Sequence, residues 1–257
     1  MSRAKLKVRN LMFKGNALVI GASGGIGKTL VKQLHESGEY EHVYAVSRNL
    51  PAAPIEGVQY YSVDSESEDL VAEYCQQLKQ AGGQFSLVVC CIGALHATGD
   101  DSPKFMPEKR LEDIQKEQLS FYLTTNAILP AIWLKNVEKL LKGPEPAKLV
   151  FFSARVGSIS DNTLGGWYGY RASKSALNML IKCAQIECQR RAKNITLVSY
   201  HPGTVETELS KPFQSKVPSG KLFSTEFTVT QLLQIIPDLT PENGPHYIDW
   251  QGSAIPW

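Results

Sequence analysis

The stretch Ala17-Leu18-Val19-Ile20-Gly21-Ala22-Ser23-Gly24-Gly25-Ile26-Gly27-Lys28-Thr29 decides how the rest of the chain is read. An apolar run leads into the glycines, and apolar residues at helical spacing (Ile26, Leu30, Leu34) follow them. A strand, a glycine turn and a helix in succession aim backbone N–H groups at a phosphate. From Ala22 onward the stretch is nearly a P-loop, with Ala where its first Gly stands and Gly27-Lys28-Thr29 at its end. Gly21-x-Ser23-x-Gly25 has the spacing of a hydrolase nucleophile elbow. Gly21-x-x-x-Gly25-x-Gly27 is a variant dinucleotide-binding turn, and a glycine turn that binds nothing is the fourth reading. The choice among them lies elsewhere in the chain.

The chain has 257 residues, 43% of them hydrophobic and 20% charged, which suits one α/β domain spanning 1–257 with a substantial core. With 27 basic and 25 acidic residues it carries no electrostatic footprint for nucleic acid. Lys5, Lys7 and Arg9 form a small basic cluster that reads as a solvated lead-in. No apolar stretch is long enough for a membrane span, and Lys14, Gly15 and Asn16 interrupt any N-terminal apolar run. The five cysteines (Cys75, Cys90, Cys91, Cys183, Cys188) are odd in number and follow no regular framework. That argues for reduced thiols and a cytoplasmic protein. The five histidines are scattered without ligand spacing, so no metal site is expected.

Strand-like and helix-like segments alternate up to about Tyr200. Strands are expected at 42–47, 58–63, 85–91, 147–152 and 195–200, with a last one at 246–250. Phe85 to Cys91 is almost wholly apolar, as a central parallel strand covered on both faces would be. A helical region runs from about Pro107 to Leu141 with a break expected near Pro130, another from Tyr168 to Arg191, and a short one from Val229 to Ile236. Ser210 to Gly220 reads as an exposed loop. Repeated βα units of this length imply right-handed crossovers and a three-layer α/β/α architecture around a doubly wound, mostly seven-stranded parallel sheet.

Tyr170-Arg171-Ala172-Ser173-Lys174 puts a tyrosine and a lysine on one helical face. A free phenol, with a pKa of ~10, transfers protons poorly at neutral pH, and a neighbouring ammonium lowers that value. Such a pair can pass a proton to or from a substrate oxygen.

Taken in order, the Gly21-x-x-x-Gly25-x-Gly27 turn, Tyr170-x-x-x-Lys174 and Pro202-Gly203-x-Val205-x-Thr207 resemble the short-chain dehydrogenase/reductase family over nearly the whole chain. Val156-Gly157-Ser158-Ile159, Tyr168-Gly169-Tyr170-Arg171-Ala172-Ser173-Lys174-Ser175-Ala176-Leu177-Asn178 and His201-Pro202-Gly203 look like its C-factor or sniffer-type branch, which includes carbonyl reductases. The resemblance implies a Rossmann-type fold and NAD(P)-dependent interconversion of a small-molecule carbonyl and an alcohol. It makes Tyr170 the proton donor or acceptor and Lys174 both its pKa partner and a ligand of the cofactor ribose. It assigns Gly21, Gly25 and Gly27 to the cofactor turn, Ser23 and Ile26 to the pyrophosphate, Asp64 to the adenine ring, and Val205 and Thr207 to the nicotinamide amide. Gly93, in Cys91-Ile92-Gly93 where the family carries Asn-Ala-Gly, would lie against the cofactor. Asn126 matches an asparagine that supports the lysine through water. Family members that pair the helices matching those of Asn126 and Tyr170 imply a homodimer or homotetramer.

One departure concerns the chemistry. The family's catalytic serine lies three residues before the glycine matching Gly157, and this chain has Ala154 there. Ser153 is the expected substitute donor, with Ser158 the other neighbour, although adjacent strand residues face opposite ways. At the end of the second strand Ser47-Arg48 stands where an NAD-preferring site has an acid, so NADP(H) is favoured over NAD(H), with Arg48 meeting the 2′-phosphate. A hydrolase needs upstream strands that Ser23 lacks, and a P-loop enzyme leaves Tyr170 and Lys174 unused. The remaining alternative is a weakly active or inactive dinucleotide-binding scaffold, for which Ala154 is the support.

Overall fold

The computed structural model describes residues 14–97 and 105–257. The basic cluster at Lys5, Lys7 and Arg9 therefore lies outside the described residues. Seven strands form one sheet: β1 (Asn16–Ile20), β2 (Val43–Ser47), β3 (Val58–Ser62), β4 (Phe85–Cys90), β5 (Ala147–Phe152), β6 (Ile195–His201) and, last in the chain, His246–Asp249. Their spatial order is β3-β2-β1-β4-β5-β6 and then the last strand, and every pairing is parallel.

Side chains alternate across each strand and feed two cores. Leu18, Ile20, Val88, Cys90, Leu149 and Phe151 face one core, and Ala17, Val19, Leu87, Val89, Val150 and Phe152 face the other. The first core is closed by helices α2 (Glu68–Ala81), α4 (Leu129–Leu141) and α5 (Tyr168–Arg191), the second by α1 (Gly25–Ser37) and α6 (Thr225–Ile235). Both faces of the sheet are dry from β2 through β1, β4 and β5 to β6, which is why those strands are largely apolar runs, while edge strand β3 (Val58-Gln59-Tyr60-Tyr61-Ser62) stays half-buried to exposed. The chain leaves β1 towards β2 and returns from β3 to β4 on the other side of β1. That reversal opens a crevice beyond the carboxyl ends of β1 and β4, the place where a doubly wound sheet binds ligands.

The break expected near Pro130 falls just before it. Helix α3 (Lys116–Leu123) passes into a π-helical turn, Thr124–Ile128, and α4 begins with Pro130 in its first turn. Proline has no N–H to return to the preceding turn, and the wider turn absorbs the mismatch. Asn126, inside that turn, is fully buried.

Three segments differ from the sequence reading. The helical region expected from about Pro107 begins only at Lys116, after a 3₁₀ turn at Leu111–Asp113 whose Asp113 carboxylate holds the Lys109 and Arg110 amides outside any helix. Ser210 to Gly220 contains a 3₁₀ helix, Lys211–Lys216, anchored by buried Ser210, whose Oγ donates to the Val205 carbonyl at 2.5 Å. Short strands β7 (Thr204–Val205) and β8 (Leu222–Phe223) pair parallel beside it. Helix α6 starts at Thr225 rather than Val229, because Ser224 Oγ accepts the Phe227 amide proton and caps it. The strand at His246–Asp249 becomes β9 in chain order.

Candidate active site

The crevice is a cleft of about 1070 Å³. Its floor is the glycine turn. Gly21 adopts φ +81°, and a β-carbon there would lie 3.2 Å from the Cys91 carbonyl carbon. A β-carbon on Gly27 would collide with the Gly21 carbonyl oxygen, and one on Gly25 would lie 2.8 Å from Thr207 Cγ2. The turn is thus packed tightly from behind and from the front. Gly24 offers α1 no side-chain cap, and the first turn holds no acidic residue. The helix therefore keeps its free N–H groups and positive end for an anion, and these residues fit the pyrophosphate of a dinucleotide.

The opposite wall is α5. Tyr170 and Lys174 are both buried, with Lys174 Nζ 5.9 Å from the centre of the Tyr170 ring. Nζ donates to the Phe152 carbonyl oxygen at 2.9 Å. A β-carbon on Gly93 would come within 3.2 Å of both Lys174 Nζ and Asn126 Oδ1, so any larger residue would press this pair aside. Asn126 clasps that segment from behind and donates to Ser173 Oγ at 3.1 Å. Ser173 in turn donates to the Tyr170 carbonyl.

The expected lowering of the phenol by its lysine is not what the environment produces. Burial raises the Tyr170 pKa well above the ordinary value and pushes Lys174 down to about 8. Each group loses water, and each loss disfavours the charged form. Burial likewise raises Cys90, to about 12, and Cys91, so neither thiol is activated. His201, at the end of β6, is pushed down to about 4 by burial and then by the Arg155 cation.

The cleft brings together Ser23, Gly25, Ile26, Gly27, Gly93, Ser153, Tyr170, Lys174, Val205 and Thr207. Arg48 and Asp64 are exposed at the ends of β2 and β3, outside its lining. Ala154 packs in one cluster with Leu95, Tyr122 and Tyr170, so a methyl group occupies the expected serine position. Ser153 does not replace it in this arrangement. Its Oγ donates to Asn178 Oδ1 at 2.7 Å, which commits its one proton to α5. Ser158 Oγ accepts the Asp161 amide proton at 3.1 Å. For Ser153 the alternation of side chains along an extended backbone is the reason, and for Ser158 it is the intervening 3₁₀ turn Arg155–Gly157.

Aromatic rings close the far end. Trp167 lies 6.1 Å from Tyr170 and 5.3 Å from Phe213, centre to centre. Phe223 instead packs on Trp250 and Phe227, behind Gly203. Trp167 ends three consecutive left-handed residues, Gly165 (φ 64°), Gly166 (φ 63°) and Trp167 (φ 54°).

Sequence reasoning missed Glu108. It is 2% exposed, and its Oε2 accepts the Gly169 amide proton at 3.1 Å while its carbonyl accepts that of Trp167. It caps α5 from outside, where Trp167 offers no capping side chain. No local pattern marks that contact, because it spans 61 residues.

Among the described residues no cluster of His, Cys, Asp or Glu is placed to hold a metal, and no helix is long and apolar enough to cross a membrane.

A family model described as short chain dehydrogenase matches residues 15–218. 1-Hydroxy-2-glutathionyl-2-methyl-3-butene dehydrogenase of Rhodococcus sp. (strain AD45) is 28% identical over 240 residues, which cover 93% of this chain and 98% of that protein. C-signal of Myxococcus xanthus is 31% identical over 150 residues, 57% of this chain and 83% of that protein. Among solved structures, carbonyl reductase Sniffer of D. melanogaster superposes with a TM-score of 0.80 at 23% identity, over 95% of this chain and all of that one (100%).

Proposed function

Because the chain belongs to the short-chain dehydrogenase family, we propose that it reduces a small-molecule carbonyl to an alcohol, or runs the reverse, with NADP(H) preferred over NAD(H). The observation that carries this reading is the cleft itself, with a dinucleotide turn at one wall and Tyr170 with Lys174 at the other. When bound, the reduced nicotinamide supplies a hydride to the carbonyl carbon. Tyr170 holds the carbonyl oxygen by its O–H and gives it that proton, so the product is the neutral alcohol. Burial keeps the phenol protonated until then, which suits a donor. Lys174, mostly an ammonium at neutral pH, stabilises the phenolate left behind. Gly21, Ser23, Gly25, Ile26 and Gly27 bind the pyrophosphate, Asp64 the adenine, Arg48 the 2′-phosphate, and Gly93, Val205 and Thr207 the nicotinamide end. Asn126 is a positioning residue.

The test is NADPH oxidation across a panel of ketones, aldehydes and quinones. Tyr170→Phe is expected to lower kcat by at least ~10²-fold, as loss of a general acid does, with NADPH affinity retained. Turnover undiminished in that variant removes Tyr170 as the donor.

Ala154 favours a second reading, a dinucleotide-binding scaffold of little activity. One oxyanion donor is worth on the order of 10²–10³ in rate. Ala154→Ser separates the two. A rise towards that factor marks an enzyme working with one donor, and silence in both forms despite tight NADPH binding favours the scaffold.

A further inference from the structure

Besides Lys174, four lysines line the cleft: Lys28 on α1, Lys221 with its Nζ 5.7 Å from the centre of the Trp250 ring, and Lys109 and Lys216 at the aromatic end. Lys109 and Lys216 are both exposed. Lys109 sits beside the left-handed turn, its Cα 3.9 Å from where a β-carbon on Gly166 would be, next to Trp167. Lys216 follows Phe213 by one turn of the 3₁₀ helix Lys211–Lys216, and both residues line the cleft. Phe213 is the ring that meets Trp167 at 5.3 Å. One of the two lysines is thus rooted beside Gly166, next to Trp167, and the other one turn after Phe213.

Little neutralises them. Among the described residues no carboxylate comes within ion-pair reach of either lysine. Glu208, the acidic residue in the lining, is held by Lys211 at 3.1 Å. Arg155, also in the lining, is engaged by Asp249 and Asp161. Asp113 accepts the Lys109 backbone amide proton at 3.0 Å but pairs with the Arg110 side chain, so the lining keeps more cations than anions, and a cleft wall with an excess of one sign concentrates the other. The inner surface is different: Leu95, Ala154 and the rings of Trp167 and Phe213 are apolar.

We propose that the substrate is an anionic carbonyl compound with a flat apolar body. Its carbonyl meets Tyr170, its body lies on Trp167 and Phe213, and a carboxylate or comparable anion at its far end meets Lys109 and Lys216. The proposal rests on the oxidoreductase reading above and names the substrate class for that site.

4-Benzoylbenzoate and its methyl ester share a diaryl ketone and differ in the remote charge, so they are the probes. With NADPH at low ionic strength, kcat/KM for the acid is expected to exceed that for the ester about tenfold. The ratio shrinks as salt approaches ~0.15 M, where charges are screened beyond ~8 Å. In the double variant Lys109→Ala, Lys216→Ala the ratio falls to near one. An ester reduced as well as the acid, or an acid preference that survives the double variant, overturns the proposal. So does failure to reduce either probe by a protein that reduces other carbonyls. If no carbonyl in any panel is reduced, the oxidoreductase reading itself fails.

Discussion

Asn126 and Ala94 exchange two hydrogen bonds: the Ala94 amide donates to Asn126 Oδ1 at 2.8 Å, and Asn126 Nδ2 donates to the Ala94 carbonyl at 2.9 Å. One amide side chain thus takes the part of a strand partner for the segment after β4. The π-helical turn presents that side chain inward, and its third bond, to Ser173, ties the same segment to α5.

Asn126→Ala leaves two half-buried backbone groups of Ala94 without partners, at roughly 1–1.5 kcal/mol each, the low end for an unpaired group that water can partly reach. A loss of about 2–3 kcal/mol in urea unfolding is expected, together with a fall in kcat as Gly93 drifts from Lys174. Unchanged stability contradicts the clasp.

Glu108 supplies the α5 cap across a long contact. Glu108→Ala is expected to cost about 1–3 kcal/mol and to lower kcat more than it raises KM, because Tyr170 is the residue next to the capped Gly169. Glu108→Gln keeps an acceptor oxygen and is expected to recover most of the kcat. A Gln variant as impaired as the Ala variant assigns Glu108 a role other than capping.

Arg48 is exposed at the end of β2, where a 2′-phosphate can meet it. Arg48→Ala is expected to weaken NADPH binding by roughly 10–100-fold, the worth of a charge-assisted hydrogen bond, and to leave NADH binding unchanged. Fluorescence titration with both cofactors reads the difference directly, and equal losses for the two refute the assignment.

Lys174 has a folded-state pKa of about 8, against ~10.4 in an unfolded chain. Between those values the unfolded chain binds the additional proton, so this group makes stability rise with pH, by at most ~1.4 kcal/mol per unit. Below pH 8 its burial cost is fully present. Urea midpoints for the protein and for Lys174→Met, taken from pH 7 to 10, should diverge in slope over that window; parallel curves exclude the depressed value.

The sheet was legible because its strands are apolar runs between turn signals, and both faces of a parallel sheet must be dry. The Tyr168–Arg191 helix was legible to its ends. The break at Thr124–Ile128 was foreseen only as a consequence of Pro130, since the identity of the extra residue in a wide turn leaves no local pattern. Glu108 and the pairing of Thr204–Val205 with Leu222–Phe223 were illegible for a different reason. They are contacts between distant segments, and a glutamate before a helix reads as surface until the helix it caps is in place. The pKa values of Tyr170 and Lys174 ran against expectation because spacing on a helix reveals who is adjacent, and not how much water is lost. The fate of Ser153 was half legible: strand alternation indicated that it would turn away from the Ala154 side, and Asn178 was the partner that could not be foreseen.

The run of left-handed backbone at Gly165, Gly166 and Trp167 sets how this cleft can be remodelled. A bulky residue at positive φ sits there against a conformational penalty of about 1–2 kcal/mol. Replacing Trp167 by Asn or Gly relieves that penalty and so offsets part of the cost of losing its packing on Tyr170 and Phe213, about 3–5 kcal/mol for a buried aromatic and less for this half-buried one. Phe213 has no such reserve, because its 3₁₀ segment has ordinary geometry and its ring is held by packing alone. An engineer enlarging the cleft would therefore cut first at Trp167, where the backbone already favours a smaller residue.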